Sequence, residues 1–283
     1  MGYSNPRISI GIPVYNGEKF IRKCIESVLQ QTYKNFELII SDNASTDSTP
    51  DICKEFLKKD NRITFVRQNE NMGPNWNFNF PLEKANGEYF VWVVVDTIIS
   101  PEFIEKNISV LESQDKAVGC ISKIKIDESY NDKFENEKKL LKKFGIVYRP
   151  SNAFGGEGVL EITGSYMERI RKYLKHFPWE MFYSVFRTKA LRDSVVLNPS
   201  FLVGHDAGLV LNILKHGEIQ VVDQILLESI PVGGAFTYKF YKNIMPYYPL
   251  TKWCIKNLGW KIFFRNIDHF LRLGLDGMII QYT

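Results

Sequence analysis

Along the first hundred residues the apolar positions switch between two spacings. Residues 8–14 are mostly apolar and predict a buried strand, which ends in the turn Pro13-Val14-Tyr15-Asn16-Gly17. Phe20, Ile21, Cys24, Ile25, Val28 and Leu29 then recur at helical spacing and predict a helix over 18–31. Residues 36–41 read as a second strand, closed by the polar run from Asp42 to Ser48. Ser48 or Thr49 caps the next helix, with Pro50 in its first turn and Ile52, Cys53, Phe56 and Leu57 facing inward. A third strand covers 63–67. Residues 71–83, rich in Asn and aromatics, predict a loop followed by a short helix. The run 89–95 is apolar, rich in β-branched and aromatic residues, and stops abruptly at Asp96, so it predicts a strand buried on both faces.

Strand, helix, strand, helix, strand over a hundred residues requires right-handed crossovers and a parallel sheet. The loops at the carboxyl ends of those strands then gather on one edge, where open α/β sheets place ligands. That edge carries Tyr15 to Glu18, Asp42 to Asp47, Asn71 to Asn77, and Asp96. Further on, the pattern predicts a helix over 101–112 and a strand over 118–126. Residues 127–143, with five acids and five lysines, predict a solvated helix or a mobile loop serving as an acceptor-side flap, and 154–158 predict a flexible joint. A helix over 163–177, a strand-like or buried segment over 181–187, a helix led by His205-Asp206 and a last strand over 220–227 complete the domain.

The tail changes character. Its aromatics include Tyr241, Trp253, Trp260, Phe263, Phe264 and Phe270, and its seven Lys and Arg outnumber Asp268 and Asp276. Lys261, Arg265, Asp268 and Arg272 fall on one helical stripe, opposite Ile262, Phe263, Ile267, Phe270 and Leu271. Such a stripe suits a helix lying on an anionic membrane surface. The alternative is packing on the catalytic domain, or on a second subunit of a homo-oligomer. The expected division is a domain of residues 1–235, with halves 1–112 and 113–235, and a helical extension of 236–283.

The 283 residues carry a formal net charge of +4, with 45% hydrophobic and 24% charged side chains, as in ordinary soluble domains. A chain of this length hides roughly three quarters of its unfolded surface, enough for a sizeable core. No apolar run approaches the ~20 residues that span a bilayer, and the N-terminus lacks a signal-peptide pattern. Gly2 is not followed by Ser or Thr at position six, which is Pro6, so myristoylation is not expected. Cys24, Cys53, Cys120 and Cys254 lie far apart, which argues against a zinc site or a disulfide framework and fits a reducing cytosol. A cytoplasmic protein with no nucleic-acid partner is expected.

Several residues on the sheet edge carry chemistry. Asp42 can accept a hydrogen bond from a base N–H, and Tyr15 can stack on the same ring. Asp96 can cap its turn, or hold a divalent cation that neutralises a departing diphosphate. Asp206, at a helix start, can act as a general base. Neither a GxGxxG nor a Walker-type phosphate loop occurs, which disfavours dehydrogenases and kinases.

The stretch ISIGIPVYNGEKFIRKCIESVLQQTYKNFELIISDNASTDST resembles the opening of the family-two glycosyltransferases of the GT-A fold, and the likeness continues through NENMGPNWNFNFPLEKANGEYFVW to ISPEF. It is strong over residues 7–112 and weaker around Phe186-Arg187 and His205-Asp206. The combination of PVYNGE, DNASTD and AxGEY at these spacings is highly specific. The resemblance implies an α/β chain with a Rossmann-like, mostly parallel central sheet and inverting sugar transfer from a nucleotide-diphosphate donor. The acceptor would be a glycan, lipid-linked glycan or protein. Pro13, Val14, Tyr15, Asn16 and Glu18 would line the nucleoside pocket, Asp42 would read the base beside Asn43, and Asn71 and Gly73 would close over the nucleotide. Asp96 matches the final aspartate of the DXD element, a ligand of Mn²⁺ or Mg²⁺, with His205 as a second candidate ligand. Asp206 matches the catalytic base.

Aligned on Pro101, the DXD element reads Val94-Val95-Asp96 and the frequent following aspartate is Thr97, so up to two usual carboxylates are absent. Weaker metal binding is the expected consequence, because hard cations are held by carboxylate charge and oxygen count. The arginine or histidine frequent after the last strand is replaced by Pro231-Val232-Gly233-Gly234. These departures leave an alternative, a nucleotide-binding pseudoenzyme that scaffolds a glycan-assembly complex. A sugar nucleotidyltransferase is disfavoured, since the first loop is PVYNG rather than a glycine-rich loop with a basic residue.

Overall fold

The computed structural model describes residues 6–126, 159–176, 178–195, 205–229 and 248–270. In the first half, β1 (Ile8–Val14), α1 (Ile21–Leu29), β2 (Phe36–Asp42), α2 (Thr49–Leu57), β3 (Ile63–Arg67), α3 (Pro74–Lys84) and β4 (Tyr89–Trp92) alternate. A short β5 (Thr97–Ile99), α4 (Phe103–Ser113) and a long β6 (Ala117–Ile126) follow. Then come α5 (Tyr166–His176), a 3₁₀ turn (Trp179–Tyr183), β7 (Val185–Arg187), α6 (Thr188–Arg192), α7 (His205–Ile213) and β8 (Glu218–Ser229). The described part ends with α8 (Tyr248–Leu258) and α9 (Trp260–Arg265).

The described strands form one sheet in the order β3-β2-β1-β4-β7-β6-β8-β5. β1 lies parallel to both β2 and β4, and β2 to β3. β6 and β8 are also parallel, while β7 runs antiparallel between β4 and β6, and β5 antiparallel on β8. The order reverses at β1: β2 and β3 lie on one side of it, β4 on the other. The crevice outside the carboxyl ends of β1 and β4 is therefore the topological switch point of the sheet.

Every residue of β1 is buried, which explains why its sequence is a continuous apolar run rather than an alternation. Ile8, Ile10 and Ile12 pack in one apolar layer with Ile21, Cys24, Ile25 and Val28 of α1 and with Phe103, Ile104 and Ile108 of α4. On the other face, Phe90, Trp92 and Phe186 pack with Leu82, Ile170, Leu174, Leu209 and Val210. Gly11 permits that second layer to close, since a Cβ there would lie 2.8 Å from both Phe90 and Pro81.

The AxGEY motif has a backbone reason. A Cβ on Gly87 would sit 2.5 Å from the Ser9 nitrogen and 2.7 Å from the Ile8 carbonyl carbon, closer than real contacts come. Gly87 also donates its N–H to Ser9 Oγ at 2.8 Å and accepts from Thr188 Oγ1 at 2.7 Å. Backbone cannot yield here without parting β1 from β4. Gly87→Ala is expected to destabilise the fold by about 3 kcal/mol or more, at the severe end for point substitutions. Urea denaturation would measure it; a loss under about 0.5 kcal/mol would show that the loop relaxes freely.

The sheet departs from the sequence reading at its most informative strand. The run 89–95 does not stay extended to Asp96. β4 ends at Trp92, the Val93 N–H reaches Gly11 O at 2.9 Å, and the chain then turns, with the Thr97 N–H bonded to Val94 O at 2.9 Å. Thr97 to Ile99 then pair with β8 at the far edge of the sheet, a strand the hydrophobic pattern did not announce. α3 spans 11 residues rather than a short helix, and Leu57, expected inside, is 40% exposed. The flap at 127–143, the joint at 154–158, the segment 201–204 and Pro231 to Gly234 lie outside the described residues.

The tail packs on the second layer. Cys254, Ile262 and Phe270 are buried there with Ile170 and Leu174 of α5, and Arg171 of α5 donates from Nη1 to the Arg265 carbonyl at 2.9 Å. Ile262 and Phe270, from the predicted apolar stripe, face the chain's own core, whereas Ile267 of the same stripe is exposed. Leu271 and Arg272 lie outside the described residues.

Candidate active site

The loop after β1 and the loop after β2 are stitched together by hydrogen bonds. Asn16 adopts a left-handed backbone, φ 51°, a region that Asn tolerates better than most residues. Its N–H donates to Ser45 Oγ at 2.8 Å, and its Oδ1 accepts from the Thr46 N–H at 2.8 Å. Gly17 donates its N–H to Thr49 Oγ1 at 2.8 Å, and Glu18 donates its N–H to Asp47 Oδ2 at 3.1 Å. Glu18 Oε2 in return accepts from the Ser48 N–H at 3.0 Å. The expected Ser48 cap of α2 makes no side-chain bond; Asp47 Oδ1 takes the Thr49 N–H at 3.0 Å instead. Burial alone would raise the Asp47 carboxyl, but hydrogen bonds from the Thr49 hydroxyl and from the amides of Thr49 and Glu18 outweigh it and hold the group below its usual range. PVYNGE and DNASTD are thus two halves of one bonded frame, with the Tyr15 ring half exposed at its edge.

Asp42 lies at the floor of that frame. Its Cα pairs with Val14 in the β1–β2 register, and its side chain is 0% exposed. Oδ1 accepts from the Ser45 N–H at 3.1 Å. Oδ2 lies 3.3 Å from Arg67 Nε, an ion-pair distance, yet it receives no well-aligned hydrogen bond. A buried carboxylate oxygen in that state is an open acceptor. Arg67, half exposed, also donates from Nη2 to Ser45 O at 2.8 Å and so covers Asp42. Asn43 carries the next loop: its Nδ2 donates to Asn71 Oδ1 at 2.8 Å, and its Oδ1 accepts from the Met72 N–H at 2.9 Å. Asn71 Oδ1 also accepts from the Gly73 N–H at 2.9 Å, and Gly73 has φ 84° with open space where a Cβ would be.

The turn with Asp96 abuts this frame. A Cβ on Gly17 would lie 2.7 Å from Val14 Cγ2 and 3.4 Å from Val95 Cγ1, so glycine is what brings the first loop against the turn. Val95 packs on the first core layer, and Cys24 Sγ donates to Val94 O at 3.5 Å. Val94 and Val95 thus put apolar side chains directly before Asp96. Asp96 itself is half-buried; burial pushes its carboxyl above the usual range, partly offset by its own amide. Among the described residues no group of three His, Cys, Asp or Glu gathers as a cation site.

The 3₁₀ turn brings further groups to the same place. Trp92, at the end of β4, donates from Nε1 to Phe78 O at 2.7 Å and stacks on Phe182, with centroids 4.7 Å apart and planes at 11°. That stack anchors the 3₁₀ turn beneath the switch point, and Tyr183 meets Phe182 edge-on at 5.3 Å. The Tyr183 phenol is pushed far up, first by burial and then by the charges of Asp206, Asp96 and Glu180. Asp206 is half-buried at the start of α7, and its Oδ1 accepts the Ala207 N–H at 2.8 Å. Glu180 is 2% exposed, its Oε2 has no hydrogen-bond partner, and burial pushes its carboxyl up to about 8, against a smaller opposing hydrogen bond from its own amide.

The sequence matches the profile described as glycosyl transferase family 2 over residues 9–192, well over half of its length. The chain belongs to this family. A relative from Campylobacter jejuni, GalNAc(5)-diNAcBac-PP-undecaprenol beta-1,3-glucosyltransferase, is 30% identical over 254 residues, which cover 87% of this chain and 74% of that protein. The crystal structure of Staphylococcus aureus TarS 1-349 in complex with UDP-GlcNAc superposes with a TM-score of 0.70 at 18% identity, covering 95% of this chain and 73% of TarS 1-349. A mannosyltransferase from Pyrobaculum calidifontis, solved with GDP-Man and Mn²⁺, gives a TM-score of 0.59 at 16% identity, covering 98% of this chain and 72% of its own. These likenesses establish the GT-A fold. Three bacterial glycosyltransferases are 34–39% identical over 99–122 residues, and the chain spans only 14–40% of their length.

Placed on this family member, the candidate residues divide. Pro13, Val14, Tyr15, Asp42 and Asn43 gather at the switch point, Asn71 and Gly73 are tied to them through Asn43, and Asp96 adjoins them through Gly17 and Val95. Asn16 and Glu18 bond within the loop frame. His205 is described by its backbone alone, as the first residue of α7. Glu180, Tyr183 and Arg67 were not singled out from the sequence. An acid beside aromatics in the apolar run 179–186 is the one available signal for Glu180, and it does not say which face the acid takes.

Proposed function

We propose that the chain moves a glycosyl unit from a nucleotide-diphosphate sugar to an acceptor hydroxyl by one displacement with inversion. Asp206 takes the proton of the acceptor hydroxyl as its oxygen bonds to the anomeric carbon. The bond from that carbon to the diphosphate oxygen breaks on the opposite face, and the nucleoside diphosphate leaves. Pro13, Val14, Tyr15, Asn16 and Glu18 form the nucleoside side of the pocket, with Asn43, Asn71 and Gly73 closing over it. The open Oδ2 of Asp42 accepts a base N–H once the Arg67 side chain swings aside. The donor binds in residues 1–112, the acceptor against 113–235, with 236–283 as an extension, in the cytoplasm. The acceptor class that fits best is a lipid-linked glycan, the kind in the name of the Campylobacter relative.

The observation that carries the reading is the bonded frame of the loops after β1 and β2 at the switch point of a family-two chain, with the open Oδ2 of Asp42 at its floor. The test is incubation with a panel of nucleotide sugars and Mn²⁺ or Mg²⁺, following release of nucleoside diphosphate. No hydrolysis and no transfer with any donor would sink it.

Asp96, with His205 as a second candidate, would hold a divalent cation, which supplies charge neutralisation of the departing diphosphate. One carboxylate preceded by two valines fits a cation that arrives with the diphosphate, because Mg²⁺-type ions are commonly held by one or two carboxylates plus substrate phosphates. Calorimetric titration with Mn²⁺ is expected to show no saturation below about 1 mM for the free protein, tightening at least tenfold with nucleoside diphosphate present. Asp96→Ala should abolish the tightening. Tight Mn²⁺ binding by the free protein would contradict this account. The apolar packing of Val95 also favours a second reading, a metal-indifferent nucleotide-binding scaffold. Nucleotide affinity unchanged by metal, absent turnover, and activity gained with Val94→Asp and Thr97→Asp would select it.

A further inference from the structure

The tail uses one apolar face for packing and leaves another uncovered. Ile262 and Phe270 are buried, while Trp260 is 59% exposed, Phe264 61% and Ile267 39%. Among the other described residues, large apolar side chains at this exposure are scattered singly, at Tyr15, Leu57, Met72 and Ile225; here Trp260 and Phe264 lie one turn apart on α9, with Ile267 just past its end. The Trp260 and Phe264 rings stack, with centroids 5.6 Å apart and planes at 25°. Phe263 contacts both rings and passes the stack on to the buried Phe270, with centroids 5.4 Å apart. Trp260 and Phe264 are therefore a braced ridge rather than loose side chains. Gly259, with φ 89° and open space around it, breaks α8 from α9 and sets the ridge at the start of the new helix.

Basic side chains dominate the exposed charge of this tail. Lys252, Lys256, Lys261 and Arg265 are all exposed, and no described ion pair includes any of them. The single acid of residues 252–270, Asp268, is engaged from inside by Arg171 at 3.7 Å and by His269 Nδ1 at 3.5 Å. We propose that the ridge of Trp260, Phe264 and Ile267 seats in the interfacial layer of an anionic lipid bilayer, with Lys252, Lys256, Lys261 and Arg265 on the headgroups. Tryptophan favours that layer because its ring is apolar with one polar edge, and basic residues there gain from the negative surface potential. A second copy of the chain fits worse, since a two-fold contact would set four uncompensated cations against four more. No helix among the described residues is long and apolar enough to cross a membrane, so attachment by this ridge is in the plane of the surface. This names a partner for the proposed transferase and rests on that reading only for its biological use, which is to hold the pocket beside a lipid-linked acceptor.

The test is co-sedimentation of the full chain with vesicles of phosphatidylcholine containing about 30% phosphatidylglycerol, against pure phosphatidylcholine. Binding to the anionic vesicles is expected, and it should weaken in ~0.5 M NaCl. Trp260→Ser with Phe264→Ser should lower partitioning roughly tenfold. Lys261→Glu with Arg265→Glu should lower it by a similar factor on anionic vesicles only, about tenfold. Donor hydrolysis in solution is expected to be unchanged in both pairs, which also reports that they fold. Failure of the full chain to bind, or binding indifferent to both pairs, overturns the inference. So does concentration-dependent dimerisation that Trp260→Ser removes, which would make the ridge an interface between copies. Vesicle binding without any donor hydrolysis would instead leave this inference standing and remove the proposed reaction.

Discussion

Asp206→Asn is expected to lower sugar transfer by about 10²–10⁴-fold while leaving nucleotide affinity within about a factor of two. The amide keeps the shape of the carboxylate and its acceptor oxygen for the Ala207 N–H, so the helix start is preserved. What it loses is the ability to accept a proton from the acceptor hydroxyl. The loss should fall on kcat, because a group acting on the acceptor proton matters most once that proton is in flight. Donor binding is expected to survive, since Asp42, Asn43 and the frame around Asn16 stand on β1 and β2, elements separate from α7. Steady-state transfer kinetics with calorimetry of nucleoside diphosphate would separate the two. Equal kcat in variant and parent would remove Asp206 from its role. A parallel loss of nucleotide affinity would show that the substitution had disturbed the pocket instead.

The first half of the chain was legible because its physics is local. A strand buried on both faces must read as a run of apolar residues, and a helix on it must repeat its apolar face every three to four positions. Ile8 to Val14 and Ile21 to Val28 obey both rules, and the structure places them in one layer. The frame between PVYNGE and DNASTD was legible only as two polar clusters at strand ends; which oxygen takes which amide depends on the left-handed turn at Asn16, and a residue pattern does not state a backbone angle. The end of β4 was misread for a related reason. Val93, Val94 and Val95 have the same strand preference, but the β4 register on β1 stops at Gly11, although β1 runs on to Val14, and the chain turns at Val94, so tertiary context rather than propensity ends the strand. Thr97 to Ile99 then pair across to Leu227 to Ser229, contacts more than a hundred residues apart that no local pattern encodes. The tail shows the same limit. Helical spacing gave one apolar stripe opposite the charges, whereas the break at Gly259 and the turn at Asn266 divide the apolar residues between the core and a second, uncovered ridge.

Glu180→Gln should change the pH dependence of stability more than any other single substitution near the site. In the folded chain the carboxyl is pushed up to about 8 by burial, far above its ordinary value near 4.3. An acid shifted in this direction keeps its proton in the folded state after the unfolded chain has released it. Stability is therefore full below the unfolded value and falls as pH rises from there to about 8, where the folded group also ionises. The fall amounts to roughly 5 kcal/mol from this one group. Glutamine cannot ionise and removes that slope, at a constant cost of about 1–3 kcal/mol for an amide hydrogen buried where Oε2 now has no partner. Urea denaturation of both proteins from about pH 5 to about pH 9 reads the difference, in which all other titrating groups cancel. Curves that stay parallel would show that the carboxylate is paired or solvated.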